Sequence, residues 1–137
     1  MGALAVAPAS RPWISLPRSP NAILGAVLAV FGLALTAWAM VTLGPSLTPL
    51  PVPRRRAVFV DHGPYALVRH PIYGGLILLG LGWALLRGGL LHLPLAFALA
   101  FYLNVKASRE ERFLIVRYPE YDAYVQRTRR RLIPWLV

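Results

Sequence analysis

Residues 22–43 run for 22 positions without a charged side chain. At 1.5 Å per residue a helix of that length extends about 33 Å, enough to cross a bilayer core about 30 Å thick. The run predicts a transmembrane helix over residues 22–43. Asn21 stands at the N-cap position, and Gly44-Pro45 marks the stop. A chain with such a helix must place its remaining segments relative to a membrane.

The composition agrees. Of 137 residues, enough for one domain, 57% are hydrophobic and 15% charged, against about 25% charged in an ordinary soluble domain. Mean hydropathy is +0.55. Such a chain has too much apolar surface for a small soluble core and too little polarity for a disordered tail. Yet the formal net charge is +10. The absence of cysteine excludes disulfides, thiolate metal sites and cysteine nucleophiles. Residues 1–20 carry Arg11, Arg18 and four prolines and read as a loop. They lack the basic start and apolar core of a secretory signal.

Residues 45–64 form a second loop, broken by Pro45, Pro49, Pro51 and Pro53 and followed within it by Arg54, Arg55 and Arg56. Residues 57–60 read as a short extended or interfacial piece. Residues 71–86 and 90–105 are apolar segments of 16 residues each, separated by Arg87-Gly88-Gly89. At about 24 Å each is slightly short for a span. The glycine pair predicts a reversal, hence a helical hairpin. Gly74, Gly75, Gly80, Gly82 and Ala84 allow close helix approach. Residues 104–118 continue without glycine or proline as helix, with Phe113 and Leu114 apolar among charges. Pro119 opens a further short helix, and Trp135 lies near the C-terminus as an interfacial residue. The predicted fold is all-α: one integral membrane domain over residues 1–137. It has spans at 22–43, 71–86 and 90–105, a loop at 44–70 and a helical tail at 106–137.

Three spans put loop and tail on one side. That side holds 12 of the 15 Lys+Arg and all five acids; Arg11, Arg18 and Arg87 fall on the other. The positive-inside rule then predicts an outer N-terminus, with the loop and C-terminus in the cytoplasm. The chemically able side chains gather at that face.

Three constellations stand out there. In the first, Gly63-Pro64 turns the chain, Arg69 and His70 follow, and Pro71 suits the first turn of a helix. Tyr65 and Tyr73 flank the pair. The group reads either as interfacial anchoring or as a site. In the second, Lys106 and Glu110 are four apart and share a helix face. Glu111 is assigned to the side of neither Ala107 nor Glu110. The run reads either as a solvated helix or as a helix presenting Lys106 and Glu110 to the Arg69-His70 loop. In the third, Tyr118, Tyr121 and Tyr124 lid a pocket or pack a short helix. Arg129, Arg130 and Arg131 read as contacts to anionic lipid headgroups. No groove-reading motif points to nucleic acid. The histidines His62, His70 and His92 have no metal-ligand spacing, and His92 reads as a lone polar residue near the hairpin tip.

Together these residues are familiar. Gly63, Tyr65, Arg69-His70-Pro71 and Tyr73 are followed by Glu110-Glu111 and Leu114. Tyr118-Pro119-Glu120-Tyr121, Tyr124 and Ile133-Pro134 complete the pattern. It resembles the isoprenylcysteine carboxyl methyltransferase and phospholipid methyltransferase family over residues 22 to 134. The resemblance implies an integral membrane enzyme using S-adenosylmethionine, with its site at the cytoplasmic helix ends. It implies cofactor contacts from Val60, Tyr65, Arg69, His70, Pro71, Ile72, Tyr73 and Glu110. His70, Lys106 and Glu110 are the implied catalytic residues, Lys106 matching a substrate-contacting arginine. Lysine there loses the planar bidentate grip on a carboxylate, and this weakens the case for a prenylcysteine substrate.

The expected function is therefore methyl transfer from S-adenosylmethionine to a lipophilic or lipid acceptor. Methyl transfer needs positioning more than acid–base power, and a sulfonium favours aromatic faces such as Tyr65 or Tyr73. Two alternatives remain open: a sterol-reductase-type membrane enzyme using NADPH, and a non-enzymatic module binding anionic lipid.

Overall fold

The computed structural model describes residues 20–46, 59–88 and 91–133. Arg11, Arg18, the triplet Arg54 to Arg56, Gly89, Leu90 and Trp135 lie outside the described residues. So do residues 57 and 58, half of the short piece expected over residues 57–60.

Among the described residues four α-helices follow one another: α1 (Pro20–Leu43), α2 (Pro71–Arg87), α3 (His92–Arg117) and α4 (Tyr121–Arg127). There are no strands among the described residues. Short 3-10 turns at Gly44–Ser46 and Gly63–Ala66 lie between α1 and α2. The all-α expectation holds. Helix α1 runs from Pro20, so Asn21 lies inside its first turn and does not cap it. The stop at Gly44 is as expected; Gly44 takes a positive φ of 51°.

Helix α1 is long and apolar enough to cross a membrane. Its most apolar stretch is mostly unburied, unlike the core helix of a water-soluble fold. Ile23, Val27, Val30, Leu33 and Val41 all leave more than half their surface open. Burying such a side chain is worth roughly 1.5–3 kcal/mol, so a face of this kind belongs in lipid or against protein. Helix α2 is also apolar, with 17 residues, and spans about 26 Å.

Helix α2 packs on both α1 and α3. The α1–α2 contact depends on glycines spaced by seven on each antiparallel helix, Gly25 and Gly32 facing Gly82 and Gly75. A β-carbon at Gly32 would lie 2.5 Å from the Gly75 carbonyl, and one at Gly25 would lie 2.8 Å from that of Gly82. Only glycine allows backbones this close. Gly75 and Gly82 therefore act as the sequence suggests. Ala84 packs instead on Ala96 of α3.

Helix α2 ends on Gly88, which adopts the left-handed conformation (φ 61°, ψ 20°) expected at the reversal. His92 begins α3 and is fully buried, with no hydrogen-bond partner for either ring nitrogen among the described residues. Helix α3 continues unbroken for 26 residues, about 39 Å, so its apolar first half and charged second half form one rod. The principal core joins α2, α3 and the C-terminal segment through Ile77, Leu103, Ala107 and Leu132.

Candidate functional site

The site lies where the start of α2 meets the charged half of α3. Pro64 and Tyr65, in the turn after Gly63, are buried, as is Val68. This buried turn anchors the chain so that His70 precedes α2 directly and Pro71 occupies its first position. Tyr73 follows about one turn later, and its ring stacks on His70 with centroids 5.6 Å apart and planes 7° from parallel.

Helix α3 supplies the opposing groups. The Tyr73 hydroxyl donates a hydrogen bond to Glu110 Oε1. Lys106 Nζ donates to the same hydroxyl at 2.9 Å and lies 3.5 Å from Glu110 Oε1. The Lys106 ammonium also sits over the Tyr73 ring, 4.9 Å from its centroid. His70 Nδ1 is 3.9 Å from Glu110 Oε2. His70, Tyr73, Lys106 and Glu110 thus form one cluster. Its rim stays open: the Lys106 side chain is 23% exposed and Glu110 15%. Of the two readings of the Lys106 helix, the geometry selects the one that presents Lys106 and Glu110 to His70.

Glu111 has a different environment, which the sequence reading missed. It lies four residues after Ala107, and both are buried. At 100° per residue the two share a face, so assigning Glu111 to neither neighbour was an error. Its Oε1 lies 3.2 Å from His70 Nε2 and 3.3 Å from Arg69 Nη1, and its Oε2 is 3.2 Å from Arg131 Nη2. Burial raises the carboxyl pKa. The His70 hydrogen bond and the charges of His70, Arg69 and Arg131 outweigh it and hold the group below its ordinary value.

Arg131 is accordingly not free for lipid headgroups. It donates to Glu111, Asn104 and Ser108. Its neighbours Arg129 and Arg130 are exposed. Arg69 also pairs with Glu111, and its Nη2 donates to the Arg129 carbonyl at 3.4 Å.

Tyr65 is buried beside this cluster. Burial, then the Glu110 charge, pushes its phenol up from the ordinary value. Val60 and Ile72 are half-buried and Pro71 is buried, and none contributes a hydrogen bond or ion pair to the cluster. Of the three tail tyrosines, Tyr121 and Tyr124 pack the short helix: both are buried, and Phe59 lies against them and against Tyr118. The Tyr124 hydroxyl donates to the Tyr65 carbonyl at 2.6 Å.

Two comparisons with known proteins bear on this arrangement. Over 77 residues the chain is 38% identical to the cobalt-zinc-cadmium resistance protein CzcN of Cupriavidus metallidurans. That stretch is 55% of this chain but only 35% of CzcN. The family model for phospholipid methyltransferase matches residues 20–121, which include α1, α2, α3 and every member of the cluster. With most of its length and the His70, Tyr73, Lys106 and Glu110 cluster inside that match, the chain belongs to the phospholipid methyltransferase family.

Proposed function

We propose that this chain is an integral membrane methyltransferase that transfers a methyl group from S-adenosylmethionine to a lipophilic or lipid acceptor. The observation that carries the reading is the cluster of His70, Tyr73, Lys106 and Glu110 inside the family-matched region.

The chemistry of the cluster suits the cofactor. The Tyr73 ring already carries a cation on its face, the Lys106 ammonium, and that face equally suits a sulfonium. Glu110 is a part-exposed carboxylate suited to an amino group or to hydroxyls. Tyr65, Arg69, His70, Pro71, Ile72 and Val60 are the proposed surround. The bound cofactor supplies an electrophilic methyl group, which a nucleophile takes in line as the sulfide departs.

The chain's own contribution is mainly positional. Tyr73 and Glu110 hold the donor side. Lys106, at the rim, faces the acceptor. Glu110 is the group placed to take a proton from an acceptor amine or hydroxyl, since His70 Nε2 is engaged by Glu111. In this reading α1, α2 and the apolar half of α3 span the bilayer, with the site on the cytoplasmic side and the N-terminus outside. The charge asymmetry of 12 to 3 supports that orientation. A lipophilic acceptor reaches the site laterally from the bilayer, and the water-soluble donor reaches it from the cytoplasm.

The test is transfer of a labelled methyl group from S-adenosylmethionine into a lipid extract by the purified protein in detergent. Label should appear in a lipid product and fall by roughly a hundredfold or more in Glu110→Gln. Transfer that is undiminished in Glu110→Gln contradicts the assignment.

A further inference from the structure

Residues 129–133 lie beyond the family-matched region, yet they are bound to the site through backbone and side chain. The Arg69 N–H donates to the Arg130 carbonyl at 3.0 Å, and the His70 N–H donates to the Arg131 carbonyl at 2.8 Å. The two residues that lead into α2 are thus pinned to the tail by consecutive backbone hydrogen bonds. Beyond them, Leu132 enters the core beside Ile77, Leu103 and Ala107. Gly74 leaves room for this passage: a β-carbon there would collide with the Leu132 carbonyl.

The Arg131 guanidinium then spreads across α3. Nη1 donates to Asn104 Oδ1 at 3.3 Å and Ser108 Oγ at 3.0 Å, while Nη2 donates to Glu111 Oε2 at 3.2 Å. Glu111 is therefore fixed by a group outside the cluster, and its other oxygen meets His70 Nε2. An ionised carboxylate only accepts hydrogen bonds, so Nε2 must carry the hydrogen. That leaves Nδ1 as the nitrogen facing Glu110.

We propose that Arg131 is a positioning residue of the candidate site. It acts through Glu111 to hold the His70 imidazole with Nε2 as donor and Nδ1 turned toward Glu110, and residues 129–133 form a working wall of the site. Two features support this: the three-way fork of Arg131 and the space left by Gly74. The proposal rests on the methyltransferase reading only for the ligand used in its test. The imidazole readout is independent of it.

The test uses the full chain in detergent micelles with nitrogen-15-labelled histidine. The His70 signals are assigned by their loss in His70→Gln, and S-adenosylhomocysteine affinity is measured in parallel. In the wild type, the His70 signals should show a single ring state with hydrogen on Nε2. In Arg131→Met the ring-nitrogen signals should move toward a mixture, and the dissociation constant should rise roughly tenfold or more. Arg131→Lys keeps the charge but loses the fork, and should fall between the two. Should Arg131→Met fail to fold, Ser108→Ala decides, since it removes one hydrogen bond from the fork and should move both readouts in the same direction by a smaller amount. His70 signals and affinity unchanged from wild type in the folded variant would overturn the proposal. A wild type that binds no S-adenosylhomocysteine contradicts the methyltransferase reading, and the imidazole signals then decide this inference alone.

Discussion

Glu111 Oε1 lies 3.2 Å from His70 Nε2, a buried contact between residues 41 apart in the chain. Glu110, the adjacent carboxylate, meets the opposite side of the same ring through Nδ1 at 3.9 Å. The two glutamates have different surroundings. Glu111 is enclosed by His70, Arg69 and Arg131, whereas Glu110 shares the open rim with Lys106.

Glu111→Ala should therefore cost stability above all. It leaves Arg69 and Arg131 buried or half-buried without their carboxylate, and breaking a buried ion pair in this way costs about 3–5 kcal/mol. Thermal unfolding in detergent should show a large drop for Glu111→Ala and a small one for Glu110→Gln. Equal drops would contradict the division.

The same carboxylate sets an acid limit. Its pKa is below the ordinary 4.5 in the folded chain. Its stabilisation is therefore fully present above about pH 4.5, the unfolded value, and is lost as pH falls through the lower folded value. Unfolding midpoints measured from pH 6 downward should decline at the acid end in the wild type. They should decline less in Glu111→Gln, which has no carboxyl to titrate.

Gly75 meets α1 where Gly32 and Thr36 leave no room: a β-carbon would strike the Thr36 hydroxyl. Gly75→Ala should destabilise the chain by about 1–3 kcal/mol through separation of α1 from α2. The same substitution at Gly44 meets no neighbour within 4 Å among the described residues. Its cost should come only from the positive φ. Detergent midpoints of the two variants test the comparison.

Tyr124 ties the tail helix to the turn before α2 through its bond to the Tyr65 carbonyl. Tyr124→Phe should cost about 1 kcal/mol, the usual worth of a buried hydrogen bond. Burial also raises the Tyr65, Tyr121 and Tyr124 phenols above their ordinary 10.0. Their neutral forms therefore stabilise the fold below about pH 10, and that contribution is lost as pH rises toward the folded values. Phenolate absorbance should show these three ionising only as the chain unfolds.

Much of the scaffold was legible in the sequence because it follows from local physics. The uncharged run marked α1, Gly88 marked the reversal, and the absence of glycine and proline from 104 to 118 marked the long α3. The Lys106–Glu110 pair was legible by its spacing of four. Glu111 was within reach of the same rule, since Ala107 stands four residues before it, but a charged residue beside a charged residue was not read as buried. The Arg131 contacts were not legible. Three consecutive arginines look alike in sequence, and only the passage of Leu132 into the core turns one of them inward. Gly25 and Gly32 lie inside a uniformly apolar run, and only the close approach of α2 sets them apart from their neighbours.

The most direct measurement is equilibrium binding of S-adenosylhomocysteine to the purified chain in detergent, with NADPH as a competitor. The account predicts saturable binding that NADPH does not displace and that weakens by roughly tenfold or more in Glu110→Gln and Tyr73→Phe. Folded protein that binds no S-adenosylhomocysteine, or binds it equally well in both variants, would contradict the assignment of this cluster as a methyl-donor site.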